Sequence, residues 1–362
     1  MYTLQKFIHV YCINSLIKID SIKKKTMRIL IYSPSFYPNI GGLETIIATL
    51  ATEFSNQGHI VKLVSLTPDI DAKQFDFEVI RQPKTTHLLK LMAWCDLYFQ
   101  GCISLKGIFP LLFVPKPLIA THQTWYCRSN GKKSWQDYLK RVVSMFATNV
   151  AVSHAVAQEI PSNSIIIPNS YQADAFYLMP EIKRDRELVF LGRLVSDKGV
   201  DLLLKALANL KERGLTPKLT IIGKGEEESN LRQQSRKLNI DEQVNFAGVK
   251  VGRELVELLN AHQIMVVPSL WQEPFGIVAL EGIACGCVVV GSQEGGLKDA
   301  IGECGVTFPN GNVAALTKRL AELLNESDKL SLYRQKAEAH LARHKQTEIA
   351  KAYLRVFEEA IA

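Results

Sequence analysis

Two doubly wound α/β domains, each built on a parallel sheet, are what this sequence predicts, and three observations carry the prediction. At 362 residues the chain is longer than one hydrophobic core usually serves. Short apolar runs alternate with helix-length periodic segments in both halves, which is the pattern of parallel βαβ units. Between the halves, residues 170–187 turn polar and charged (Glu181, Lys183, Arg184, Asp185, Arg186, Glu187), and that shift in composition marks a boundary. The divisions that follow are an extension at 1–26, a first domain at 27–175, a second at 176–340 and a closing helix at 341–362. A hydrophobic content of 47% with 22% charged residues is ordinary for a soluble globular enzyme.

Residues 7–19 are mostly apolar but too few to span a bilayer, and no run of 18 apolar residues occurs anywhere. Lys23, Lys24 and Lys25 follow that stretch instead of preceding it, and no small-residue cleavage site is evident, so a signal peptide is a poor fit. We read 1–26 as a non-native upstream start, with an interfacial anchor as the second reading.

The first strand covers 27–33. A loop with Pro34 and Pro38 leads to Gly41-Gly42, a helix at 43–54, a break at Gly58-His59 and a strand at 60–65. This βαβ opening lacks the G-x-G-x-x-G dinucleotide fingerprint. Paired glycines at a helix start let backbone approach a phosphate or a sugar closely, or simply make a turn. The signal weakens from 68 to 117, where a strand is expected at 96–100. The next, at 118–121, ends at His122. A histidine at a strand's carboxyl end stands where sites form, although one that merely caps a loop would look the same. Around 125–141, basic Arg128, Lys132, Lys133, Lys140 and Arg141 interleave with Trp125, Tyr126, Trp135 and Tyr138. That mixture suits lipid headgroups or an acidic acceptor; a solvated amphipathic helix is the plainer reading. Strands at 149–153 and 165–169 complete the first half.

The second half opens with a strand at 188–191 and the loop Gly192-Arg193-Leu194-Val195-Ser196-Asp197-Lys198-Gly199 before a helix at 200–213. Arg193 and Lys198 stand five residues apart at a strand end and a helix start, where a guanidinium fork and a mobile ammonium can share one anion. A strand at 219–222, Gly223-Lys224-Gly225, a helix at 227–238, a strand at 244–246 and a helix at 253–260 follow. The strand at 264–267 leads through Pro268-Ser269 and Glu273-Pro274 into a helix at 275–285 that stops at Gly286, then a strand at 287–290. The amides of Phe275, Gly276, Ile277 and Val278 would point outward with the positive end of the helix dipole, toward a phosphate. Glu281, about two turns in, could accept hydrogen bonds from sugar hydroxyls. Gly295-Gly296, a helix at 313–324 and further helices from 329 onward close the chain.

Glu273 and Glu281, with seven residues between them, resemble the E-x7-E motif of retaining glycosyltransferases of the family 4 type. The run from Gly192-Arg193-Leu194 to Asp197-Lys198-Gly199 is similar to that family's phosphate-binding loop, and the likeness is strongest from 188 to 310. The resemblance implies the GT-B fold: two Rossmann-like domains facing each other, with the C-terminal helix crossing back to the first. It implies retaining hexosyl transfer from a UDP- or GDP-sugar to a saccharide or lipid-linked acceptor, as in surface polysaccharide or glycolipid assembly. By analogy Glu273 holds the donor sugar's hydroxyls and Glu281 the ribose, while His122 and the Gly41-Gly42 loop reach the donor from the opposite domain. Arg193, Lys198 and the amides of 275–278 would stabilise the departing diphosphate in place of a divalent metal, so neither metal nor cofactor is expected. The one Asp-x-Asp pattern, Asp69-Ile70-Asp71, reads as loop.

A formal net charge of +7 favours anionic partners: nucleotide phosphates, an acidic membrane surface or nucleic acid. No zinc finger, aromatic–basic RNA signature or basic heptad region accompanies it, so nucleic acid is not expected. Seven cysteines without a C-x-x-C pair point to reduced thiols in a cytosol, with the inner face of the membrane as a further possibility. His340 and His344, four apart, read as a solvated helix face and not a metal site. A glycosidase would need its carboxylates roughly 5–9.5 Å apart, whereas eight helical steps separate these by about 12 Å. A sugar-nucleotide epimerase of similar fold, or a non-catalytic nucleotide-sugar-binding protein, would fit the same pattern of residues.

Overall fold

The computed structural model describes residues 25–39, 41–68, 73–127 and 134–362. Nearly all of the 1–26 extension, the Asp69-Ile70-Asp71 pattern, and Arg128, Lys132 and Lys133 lie outside the described residues.

Seven strands make the first sheet: β1 (Arg28–Tyr32), β2 (Ile60–Ser65), β3 (Glu78–Arg81), β4 (Leu97–Gln100), β5 (Leu118–His122), β6 (Thr148–Ala151) and β7 (Ser164–Ile166). Every pairing is parallel, in the order β3-β2-β1-β4-β5-β6-β7. Six more make the second: β8 (Arg186–Leu191), β9 (Leu219–Ile222), β10 (Val244–Gly248), β11 (His262–Val267), β12 (Val288–Ser292) and β13 (Gly305–Phe308). These too are all parallel, in the order β10-β9-β8-β11-β12-β13. Strands such as β1, β4, β11 and β12 read as unbroken apolar runs because helices cover both faces of a parallel sheet. In each sheet the strand order reverses beside the first strand, at β1/β4 and at β8/β11. Crevices at the carboxyl ends of such pairs are where ligands settle in this architecture.

The chain returns to its first lobe at the end. Helix Gln346–Ile361 packs on helix Gly42–Asn56, and its Tyr353 and Phe357 enter the first lobe's core against Phe54 and Phe99. Tyr353 Oη lies 3.0 Å from Thr121 Oγ1, so the buried hydroxyl is satisfied on β5 itself.

Outside the site, the structure departs from the sequence reading in three places. The helix expected at 275–285 runs only from Ile277 to Ala284, because Gly276 takes φ 96° and turns the chain first; Pro274 therefore lies ahead of the helix, not in its first turn. In the weak stretch after 68, β3 and helix Thr85–Trp94 appear. β3 is a half-buried edge strand of four residues, too short and too mixed to show a period. His340 and His344 are buried instead of solvated, with ring centroids 4.7 Å apart. Nε2 of His340 bonds the Ala300 carbonyl at 2.8 Å and Nδ1 of His344 the Asn169 carbonyl at 3.1 Å, so the pair ties the C-terminal helices to both lobes.

Candidate functional site

The site forms where the loop after β8 meets the loop after β11. Gly199 takes the left-handed conformation (φ 66°), and a Cβ there would fall 2.1 Å from the Pro268 carbonyl oxygen; only glycine lets the loops close to this distance. The amides of Leu270 and Trp271 then both donate to the Asp197 carbonyl, at 2.8 and 3.1 Å. Across that seam Lys198 Nζ sits 2.5 Å from Glu273 Oε1, and Ser269 Oγ donates to the same oxygen at 2.8 Å. The Lys198 and Glu273 side chains keep only 22% and 15% of their surface exposed, so the pair is largely desolvated, with Ser269 holding the same carboxylate oxygen. Arg193, on the same loop, is exposed and makes no hydrogen bond or ion pair among the described residues. A guanidinium with its donors free of those residues thus stands on the loop whose ammonium is already committed to a carboxylate.

Downstream, the 268–276 loop is fixed to the 293–296 loop. Gly296 N donates to the Glu273 carbonyl at 2.7 Å, while Asn310 accepts from Glu294 N at 3.0 Å and donates to the Ser269 carbonyl at 3.2 Å. Gly276 precedes helix Ile277–Ala284, whose first amides have no intrahelical acceptor. Phe275 is buried against His344, so it can offer a ligand only its backbone N–H. Glu281, one face further along, lines a cavity of about 330 Å³ together with Gly41, Gly42 and Thr45 of the first lobe and Gln172 of the connection. The two sequence-predicted elements furthest apart in the chain therefore share one space between the lobes. The Glu281 carboxyl takes no hydrogen bond from the described residues, and burial pushes it up to about 7.

That shift has a testable sign. The unfolded chain ionises Glu281 from about 4.5 upward, whereas the folded protein holds its proton to about 7, so stability is lost across that window as pH rises. Glu281→Gln should flatten this part of the stability curve, worth up to about 3 kcal/mol. Urea midpoints of both proteins at about pH 5 and about pH 8 check it; equal pH dependence in the two would remove the assignment.

His122 is corrected by the structure. It ends β5 as expected but is 0% exposed, with Nδ1 2.6 Å from Tyr126 Oη and Nε2 2.9 Å from Asn149 Oδ1. Burial lowers its pKa to about 4, so it is neutral near pH 7 and has no ring nitrogen free for a sugar. What it does is anchor the 124–127 loop through Tyr126. The neighbour of that tyrosine, Trp125, crosses the crevice and donates its indole N–H to the Gln272 carbonyl at 2.6 Å, one residue before Glu273. A second bridge joins the lobes where Asp299 accepts from both the backbone N–H and the ring of His154, at 2.9 and 3.1 Å. His154, Asp299 and Asn310 escaped sequence reasoning, as did the bridging role of Trp125, because their partners lie 16 to 147 residues away, with no local pattern to betray them. Ser269 had a signal: a hydroxyl four residues before a site carboxylate in the same loop.

Two parallel-sheet α/β lobes facing each other across such a crevice, with the last helix crossing back, are the GT-B architecture of glycosyltransferases. Residues 180–340 match the family model described as "Glycosyl transferases group 1". Glycogen synthase of Mycobacterium tuberculosis is 37% identical over 142 residues, covering 39% of this chain and 34% of that protein. Phosphatidyl-myo-inositol mannosyltransferase of Mycobacterium leprae is 26% identical over 253 residues, 67% of each chain. The chain spans about a third of the length of the first curated relatives it matches. Among solved structures, Anabaena Alr3699/HepE in complex with UDP and glucose superposes with a TM-score of 0.74 at 19% identity, covering 92% of this chain and 100% of that one. A glycosyltransferase from Rickettsia africae gives 0.77 at 17% identity, covering 93% and 99%.

Proposed function

We propose that the protein is a retaining, metal-independent hexosyltransferase of the family 4 type. It moves a sugar from a nucleoside diphosphate, UDP- or GDP-linked, to a hydroxyl of a saccharide or lipid-linked acceptor. The observation that carries this is the Lys198–Glu273 contact at the mouth of the β8/β11 crevice, with Arg193, unpaired among the described residues, on the same loop. In glycosyl transfer the barrier is set by negative charge on the departing diphosphate and by an oxocarbenium-like sugar. Arg193 suits bidentate contact with a phosphate. The first amides of helix Ile277–Ala284 add the positive end of its dipole, and Lys198, held by Glu273, brings a point charge to the same place. These groups carry the leaving group's charge, so the mechanism assigns no step to a metal. Glu273, pinned by Lys198 and Ser269, accepts the donor sugar's hydroxyls; Glu281, in the interlobe cavity beside Gly41-Gly42, accepts those of the ribose.

That HepE was solved with UDP and with UDP-glucose favours a uridine donor here as well. All six described cysteines are free thiols, which agrees with a cytoplasmic setting. Labelled UDP- and GDP-sugars, incubated with the full chain and an acceptor panel, test the proposal. Transfer with the donor's anomeric configuration kept is the expected result. Isomerisation of the sugar nucleotide, or binding without turnover of any donor, would overturn it.

A further inference from the structure

Helix Trp135–Ser144 is built the wrong way round for a soluble surface. Its apolar residues fall at the 3.6-residue period, and that stripe normally faces the core. Here Trp135, Tyr138, Leu139, Val142, Met145 and Phe146 all point to solvent, with Trp135 67% and Phe146 82% exposed. On the inward side only Val143 packs against the core, and the rest is held by polar groups. Ser134 and Asp137 form a capping box, the Ser144 carbonyl accepts from Asn149 Nδ2 at 2.8 Å, and Arg141 donates to the Glu159 carbonyl. Helix Leu105–Ile108 packs alongside, and the turn after it adds Leu112 (80% exposed) and Phe113. The patch spans two segments of the first lobe and is larger than single surface hydrophobics would explain.

We infer that this face docks the enzyme on an anionic bilayer, lying flat with the aromatic stripe at headgroup depth. Charge complementarity selects that occupant. Lys106 is exposed beside the patch and Lys140 lies half-buried along the helix; Arg141 is turned inward and paired with Glu159, and Asp137, spent on the cap, is the one acid on the helix. A second copy would set these cations against themselves in a chain already at +7. Acidic lipids supply hydrocarbon and opposite charge together. Trp, Tyr and Phe are the residues that favour the interface, and ten helical residues, about 15 Å long, are too few to cross it. The stripe follows the 124–127 loop whose Trp125 braces the Gln272 carbonyl, so docking sets the crevice close to the lipid surface. What docking serves, delivery of a lipid-linked acceptor, rests on the function proposed above; the docking itself does not.

Cosedimentation of the full chain with phosphatidylcholine vesicles, with and without phosphatidylglycerol, tests the inference. Wild type should partition onto the acidic vesicles and stay in solution with the neutral ones. The double variant Leu139→Glu/Val142→Glu, and separately Met145→Ser/Phe146→Ser, should each lose at least about tenfold in partitioning while keeping the wild-type unfolding midpoint. Equal partitioning of wild type and both variants would overturn it. So would a wild-type dimer in sedimentation that both variants dissolve, which would make a second copy the occupant. Transfer from labelled UDP- and GDP-sugars to the acceptor panel, without vesicles, is measured in parallel: vesicle binding without transfer from any donor refutes the proposed catalysis alone, and transfer without vesicle binding refutes the docking alone.

Discussion

Lys198→Ala and Glu273→Gln should each lower turnover by about 100- to 1,000-fold, the range seen when one preorganised donor to developing charge is removed. Both side chains are largely withdrawn from water, so each is a group whose loss its partner feels. Without Lys198 the Glu273 carboxylate keeps, among the described residues, only the Ser269 hydroxyl, at 2.8 Å, and swings toward any remaining cation; Arg193, unpaired among those residues, stands on the same loop. Without the Glu273 charge, Lys198 keeps its ammonium but loses the contact that aims it. Because the two act as a unit, the double variant should be little worse than either single one, instead of showing the product of the losses. KM for the donor should rise less than kcat falls if the pair acts mainly in the transition state. Steady-state kinetics on the four proteins decide this. Wild-type kcat/KM in both single variants would remove the pair from the chemistry.

Much of this site was legible because its chemistry is local. The βαβ rhythm of the second half, the basic loop after β8 and the acids flanking the helix after β11 all follow from short-range patterns. The structure places those strands within a few residues of expectation. What could not be read is burial. A histidine at a strand end looks the same whether it faces a crevice or, like His122, is enclosed by Tyr126 and Asn149. His340 and His344 posed the opposite case, since their four-residue spacing fits a wet helix face as well as the packed seam they occupy. The polarity of helix Trp135–Ser144 was visible as a mixture of aromatic and basic residues. Which side meets water depends on tertiary packing, and the outward stripe reaches to Phe146, past the stretch ending at residue 141 that the mixture marked.

The glycine between Lys198 and the following helix tests whether loop contact, and not the side chains alone, makes the site. Gly199→Ala must hold a left-handed φ of 66° and place its methyl 2.1 Å from a backbone carbonyl, so no side-chain rotation relieves it. The left-handed conformation alone costs about 1–2 kcal/mol for alanine. Moving the Pro268 backbone aside should bring the loss to about 2–4 kcal/mol, and would break the paired amide contacts to Asp197 that align Lys198 with Glu273. Turnover should therefore fall about as far as in Lys198→Ala, with every catalytic side chain still present. Gly214→Ala is the control. It too has a positive φ, 79°, but a methyl there meets nothing within 4 Å. It should show the strain, as a lowered urea midpoint, and keep wild-type kcat. If the two alanine variants lose equal activity, destabilisation explains the effect. If Gly199→Ala alone is inactive at a temperature where both are folded, the 2.5 Å approach of Lys198 to Glu273 depends on backbone contact that only glycine permits.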